Sequence, residues 1–478
     1  MAVKWGEITL GEVVSAIGGR QVSGSPNIRL KGLSTDSRTM APGYLFVALK
    51  GETYDGHDFL ANAINAGAIG VIVESRAEGN IDISGKDLAV VTVQSTLTAL
   101  GDLAMWWRKQ WQGRVIGVTG SNGKTTTKEM AASILSLEEH TMKSPGNFNN
   151  LIGLPLSILT LQEEHKIAVL EMGMNKPGEI ARLTRIAGPD RGLITNITGA
   201  HLEGLRDLEG VRRAKGELLS EMSRNSTAIL NGDDALTAGL AIVFKGPIIT
   251  FGLDQGNQVR ATHIRDIKQG LQAFTIHLNG DEVQVTIHLP GMHNVFNALG
   301  AAAIAYSLSL SGDVIARGLG RFRPLKGRFQ IIHLKGGIRM IDDTYNSNPS
   351  SLKAALQTIK DLQRSGLIVG LGEMLELGKE SAALHVSAGE LVAHMGARYL
   401  VALGEHGHEI IIGACKAGMK PQQTCLATNH SGMIDEIRGN VREGDTIFLK
   451  GSRKMALDTV VESLKAHFGA HEEGKNAL

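Results

Sequence analysis

The sequence predicts an α/β chain of three domains, the central one built on a mainly parallel sheet. Three observations carry this. The chain has 478 residues, more than one core accommodates. From about residue 112 to 320, apolar strand segments alternate with helical ones, the pattern of a parallel sheet covered on both faces. Glycine occurs 59 times, as tight strand–loop–helix turns require.

In chain order, residues 1–95 mix short apolar runs with turns, among them "YLFVAL" (Tyr44–Leu49) and "AIGVIVE" (Ala68–Glu74). "TLTALGDLAMWWRKQW" (Thr96–Trp111) reads as an amphipathic helix, so a boundary falls near residue 95. A second domain, 96–322, carries the apolar strands "RVIGV", "KIAVLEM", "RGLITNI" and "TAILN". A more strand-like insert, "VRATHIRDI…AFTIHL…EVQVTIHL", precedes a helix beginning "HNVFNALGAAAIAYSL". Near "RFRPLKGRFQ" the pattern changes again. "IRMID", "LIVGL", "YLVAL" and "DTIFLK" then alternate with helices, a third, Rossmann-like α/β domain over 323–478. The tail "HEEGKNAL" reads as frayed.

Charge and cysteine content exclude several classes. With 49 basic and 48 acidic residues the net charge is +1, which argues against nucleic acid or an anionic membrane as the main partner. Two cysteines, Cys415 and Cys425, are too few for a disulfide framework or a thiolate metal site. The N-terminus lacks the apolar core of a signal peptide, and no apolar run reaches the ~20 residues that span a bilayer. The expected location is the cytoplasm, with no stable membrane insertion.

The strongest chemical signal is "VIGVTGSNGKTTTKEM" (Val115–Met130). A standard phosphate loop wants glycine at position 118, which here is Val118. The glycines fall instead at 117, 120 and 123, leaving Val118 as the expected last buried strand residue. The strand–glycines–helix order still suits a phosphate cradle. Gly120, Ser121, Asn122, Gly123, Lys124, Thr125 and Thr126 form the candidate nucleotide site. Lys124 would meet the β/γ-phosphates, and the Thr125 hydroxyl would meet Mg²⁺.

Further constellations follow. Asn147, Asn149 and Asn150 form a polar cluster that suits either a cap and turn or a substrate contact. Glu171 ends an apolar strand, where α/β sheets place ligands, and its carboxylate can hold Mg²⁺. His201 lies just beyond the next strand end. Lys215, among Arg212, Arg213 and Glu217, reads by itself as part of a solvated helix face. Asn294 and Asn297, beside His293, share one helix face. Asp343 ends the first strand of the third domain, and Asn346 and Asn348 precede a helix with Pro349 near its start. Lys450, Ser452 and Arg453 form a basic turn after the last strand.

The loop G-x-x-G-x-x-G-K-T-T resembles that of the Mur ligases and their folylpolyglutamate synthetase relatives, three-domain enzymes that form amides with ATP. Seven motifs follow in family order. The resemblance implies that Glu171, His201 and Thr125 serve two Mg²⁺ ions. It implies that Lys215 is a carbamate formed with CO₂, which orients metal as an anion and requires a neutral amine beforehand. Lys124, Lys215 and His201 are the implied catalytic residues. Asn294 and Asn297 would lie near the adenine, Arg328 at the hinge beside the nucleotide, and Asp343 at the ribose. Asn147, Asn149 and Asn150 would lie at the nucleotide-sugar substrate. Ser37, Arg38, Asp55 and His57 match a UDP-binding first domain.

"DDTYNSNPSS" is similar to the family member that adds D-alanyl-D-alanine, which places Asn346 and Asn348 where ATP meets the amine. Lys450 and Ser452 would anchor the dipeptide carboxylate or the phosphate. Glu373 stands where the commoner family form has Asp. The expected substrates are UDP-MurNAc-tripeptide and D-alanyl-D-alanine, handled by a monomer through an acyl phosphate, with Asp343 and Lys450 closing over the nucleotide. A sister ligase, or a regulatory phosphate-loop NTPase, is the competing reading.

Overall fold

The computed structural model describes residues 2–51, 53–80, 88–199, 202–267, 270–362 and 366–470. Among these, three sheets follow one another along the chain, with six, nine and six strands. In the first, Arg29–Ser34, Tyr44–Val47, Gly70–Glu74 and Ala89–Val93 run parallel, and Ala2–Thr9 and Arg20–Ser23 close its two edges antiparallel. The expected helix spans Thr96–Gln110, started by the Ser95 hydroxyl, which accepts from the Thr98 amide. It does more than link domains. Its apolar face joins Leu10 and Val13 on one side and Leu154 and Ile186 on the other in one continuous core.

The central sheet has seven adjacent parallel strands, from Thr141–Lys143 at one edge to Val259–Asp266. Arg114–Thr119 lies in the middle, between Ile167–Glu171 and Arg191–Ile194, so the carboxyl ends of these strands share one rim. The strand-like insert is the far edge of the same sheet. Val259–Asp266, Gln272–Leu278 and Asp281–Ile287 pair antiparallel. Asn279 and Gly280, both at positive φ (46° and 110°), make the tight turn between the last two.

In the third sheet five strands are parallel and Gln330–His333 pairs antiparallel at an edge. Thr424–Ala427 is the opposite edge. Neither edge strand stood out in the sequence, because both are short and only partly covered. Among the described residues no helix is long and apolar enough to cross a membrane.

Two local expectations change. The loop strand continues one residue past Val118: Thr119 is fully buried and its hydroxyl donates to the Met172 carbonyl at 2.8 Å. Lys215 is not on a solvated face. It shares the core side of helix Leu208–Glu221 with Val211 and Leu218, and only 1% of it is exposed. Its charged sequence neighbours point the other way because a helix turns 100° per residue.

Candidate active site

The phosphate loop is built by two glycines with different duties. Gly120 has φ 144°, and a Cβ there would lie 1.8 Å from the Thr195 hydroxyl. Gly123 has φ 80° and starts helix Lys124–Leu135, where a Cβ would lie 2.1 Å from the Asn297 side chain. Only glycine permits both approaches. The loop is held from the neighbouring strand end. The Ser121 amide donates to the Asn196 carbonyl at 2.9 Å, the Asn122 amide to Asn196 Oδ1 at 3.0 Å, and Thr195 Oγ1 to the Asn122 carbonyl at 2.6 Å.

A cavity of about 550 Å³ opens above the loop, between the second and third sheets. It brings together Ser121–Thr126, Asn149, Glu171, Asn294, Asn297, Arg328, Asp343, Asn346, Asn348 and Lys450 from the sequence expectations. Lys124 turns back onto its own loop, donating to the Gly120 and Ser121 carbonyls at 2.8 and 3.2 Å. Burial lowers its pKa, against the pull of the Glu171 carboxylate. Arg328 donates to Thr125 Oγ1 at 3.1 Å and stacks 3.9 Å over the Tyr345 ring.

Glu171 is 2% exposed. One of its oxygens accepts from Asn149 Nδ2 at 2.9 Å, while the other, Oε2, is buried with no hydrogen-bond partner among the described residues. Lys215 does not line the cavity; burial, reinforced by the Lys124 charge, drives its pKa well below that of a free lysine. His201 lies outside the described residues. No group of three or more metal-ligating His, Cys, Asp or Glu side chains occurs among the described residues.

Asn294 and Asn297 are buried on one helix face, with Asn297 Nδ2 donating to Asn294 Oδ1 at 3.1 Å. His293 beside them is pushed down to about 4 by burial and by Lys450. Asp343 pairs with the buried Lys450, whose ammonium also donates to the Asn346 carbonyl at 3.0 Å. Asn348 caps the following helix through its Oδ1 and reaches across to the phosphate loop, its Nδ2 donating to Asn122 Oδ1 at 2.8 Å. Asn122 Nδ2 in turn donates to Ser350 Oγ at 2.8 Å. The third domain is thus docked directly on the loop.

Other expected residues do not line this cavity. Asn147 is exposed, and Asn150 caps helix Gly153–Leu159 by accepting from the Gly153 amide at 2.8 Å. Ser452 Oγ accepts from the Leu375 amide at 2.8 Å and pins the segment after Glu373, whose own carboxylate accepts from the Glu405 amide at 3.2 Å. Ser37, Arg38, Asp55 and His57 lie in the first domain. Arg38 grips Asp36 and holds that carboxyl down at about 2. His57 donates from Nδ1 to Asp55 at 2.5 Å and accepts from the Glu74 amide at Nε2, 3.0 Å away.

Sequence reasoning missed Lys128, Thr198, Asp342, Tyr345 and Ser350. Lys128 had a signal, since it follows Lys124 by four residues and so shares its helix face. Asp342 is the first acid of "DD". Buried, it accepts from the Gly327 amide at 3.1 Å and ties the hinge segment to the third sheet.

The chain matches three family models: "Mur ligase family, catalytic domain" over residues 29–107, "Mur ligase middle domain" over 118–305, and "Mur ligase, glutamate ligase domain" over 327–453. It is 37% identical over 460 residues to the UDP-N-acetylmuramoyl-tripeptide–D-alanyl-D-alanine ligase of Escherichia coli K12, covering 96% of this chain and 98% of that one. The enzyme of the same name from Bacillus subtilis is 35% identical, with 91% and 93% covered. A crystal structure of MurF from Acinetobacter baumannii superposes with TM-score 0.87 at 33% identity, covering 97% of this chain and 100% of that one. MurF ligase from Thermotoga maritima in complex with ADP superposes at 0.79 with 27% identity, covering 91% and 97%.

Proposed function

The chain belongs to the Mur ligase family, and on that premise we propose that it joins D-alanyl-D-alanine to UDP-N-acetylmuramoyl-tripeptide at the cost of ATP. The products are UDP-MurNAc-pentapeptide, ADP and phosphate, a step of peptidoglycan precursor synthesis. The observation that carries this reading is the seating of "DDTYNSNPSS" on the phosphate loop through Asn348, Asn122 and Ser350.

A carboxylate is a poor electrophile. ATP phosphorylates the terminal carboxylate of the tripeptide, and the amine of the dipeptide displaces phosphate from the acyl phosphate. Lys124 and the loop amides offset charge on the transferred group. Asn294 and Asn297 present their amides beside the nucleotide base, Arg328 contacts the nucleotide, and Asp343 meets the ribose. Asn149 serves the nucleotide-sugar side, with Asn346 and Asn348 at the junction with the amine. The docked third domain excludes water from the acyl phosphate. The first domain, 1–95, holds the UDP moiety, 96–322 the nucleotide and 323–478 the acceptor. We place the enzyme in the cytoplasm as a monomer.

The donors present fit Mg²⁺. Glu171 Oε2, without a hydrogen bond among the described residues, and the Thr125 hydroxyl are the hard oxygens such an ion takes. The ion would supply charge neutralisation for the transferring phosphoryl group. Lys215, buried and with its pKa driven well below that of a free lysine, is suited to react with CO₂ and become an anion.

Phosphate release tests the function. It should require UDP-MurNAc-tripeptide and D-alanyl-D-alanine together, and release independent of the dipeptide would sink the proposal. A Lys215→Ala variant should lose activity and regain part of it with short carboxylates. Full activity without them would reject the carbamate.

A further inference from the structure

Lys128 has no place in the scheme above, yet it is among the most completely buried charged residues of the chain, with 0% exposed. An ammonium so enclosed costs several kcal/mol unless its partners recover the loss. Its partners are specific. The Nζ donates to the Ser144 carbonyl at 2.7 Å and the Gly146 carbonyl at 3.3 Å. It stands 3.2 Å from Glu129 Oε1 and 3.8 Å from Glu171 Oε2, the buried oxygen without a hydrogen bond. Glu129 is also paired with Lys143.

These contacts close a cycle. Ser144, whose carbonyl accepts from Lys128, accepts through its hydroxyl from the Glu171 amide at 3.1 Å. The segment that Lys128 grips at Ser144 and Gly146 runs on to Asn149, which donates to the other Glu171 oxygen at 2.9 Å. Lys128 lies one turn along the helix that begins with Lys124 and Thr125. Through one side chain, the helix bearing the Thr125 hydroxyl is fixed to the strand end bearing Glu171 and to the segment bearing Asn149.

We propose that Lys128 is a positioning residue that holds the Thr125 hydroxyl and the Glu171 carboxylate in register as a two-donor site for a divalent cation. The 3.8 Å separation attracts Glu171 Oε2 without a hydrogen bond, which leaves that oxygen a lone pair for a cation. The proposal rests on the cation-site reading given above, but its measurement does not depend on amide formation.

The test uses the full-length enzyme, Mn²⁺ as the probe and electron paramagnetic resonance to count free ion in the presence of ADP. Lys128→Met keeps the length of the side chain and removes all four polar contacts. Mn²⁺ binding should weaken about tenfold, the scale of losing one or two charge-assisted contacts. Metal-free ADP affinity, read by calorimetry, should stay within about twofold, because the loop amides are held from Thr195 and Asn196 instead. Lys128→Arg should restore most of the Mn²⁺ affinity.

Unchanged or tighter Mn²⁺ binding in folded Lys128→Met would overturn the proposal, as would equal losses of Mn²⁺ and ADP binding. If that variant fails to fold, Ser144→Ala opens the same cycle at its hydroxyl. It should weaken Mn²⁺ binding selectively, and unaltered binding there would overturn the proposal equally. Loss of the Mn²⁺ site in wild-type enzyme would sink the cation reading itself, a result distinct from any effect of Lys128.

Discussion

Asp55 and His57 in the first domain, and Glu171 and Lys215 in the second, are acids and bases in motif-like stretches, and they differ in what their atoms have left to do. His57 spends both ring nitrogens inside the protein, on Asp55 and on the Glu74 amide. Arg76 closes the group by pairing with Glu74 and Asp55. At the phosphate loop, Glu171 keeps a buried oxygen without a hydrogen bond among the described residues, and in the same domain Lys215 is buried with its pKa driven well down. A buried polar group left unpaired costs roughly 1–3 kcal/mol. A cluster that satisfies itself holds a loop together; one that does not has capacity reserved for a ligand.

Substitutions can break or sharpen that contrast. The largest effect belongs to Lys124→Ala, which should cut phosphate release roughly 10²–10³-fold while the melting temperature barely moves. Retained activity would remove the loop from the chemistry. His57→Ala should do the reverse, lowering unfolding free energy by about 2–3 kcal/mol in urea while turnover per folded molecule changes little. Unaltered stability with a raised KM for the UDP-sugar substrate would move Asp55 and His57 to the ligand side of the comparison.

His293 gives a pH test of the same cavity. Burial and the Lys450 charge push it down to about 4. In the unfolded chain an ordinary histidine takes its proton below about 6.5, while the folded chain resists it until about 4. The unfolded state therefore binds more protons in that window. Stability should fall as pH drops from about 6.5 toward 4, by about 3 kcal/mol, and His293→Gln should flatten this segment of the urea-unfolding profile. The smallest effect is expected at Asn150, a helix cap facing solvent. Asn150→Ala should cost about 1 kcal/mol of stability with substrate KM values unchanged.

Much of the site is legible in the sequence. The spacing of Gly117, Gly120 and Gly123 with Lys124 marks a strand–loop–helix junction, and the apolar run ending in Glu171 marks a strand whose tip carries an acid. Both are local patterns. The two triads of polar residues were harder. "NFNN" offers Asn147, Asn149 and Asn150 alike, yet only Asn149 lines the cavity, because Asn150 is used by the next helix and Asn147 faces water. Lys450 and Ser452 likewise part company, one to Asp343 and one to the Leu375 amide.

The sequence by itself determined three α/β domains, the phosphate loop and the order of the motifs. These follow from periodicities of two and 3.6 residues and from glycine where a chain must turn sharply, all readable within a dozen residues. Only the tertiary structure decided that Lys215 is buried although its sequence neighbours are charged, that Lys128 ties Glu171 to the phosphate-loop helix, and that Asn348 reaches Asn122 from another domain. The reason is physical. Whether a polar side chain is a solvated surface, a satisfied strut or an open ligand position depends on which atoms lie within about 3 Å of it. Residues far apart in the chain supply those atoms.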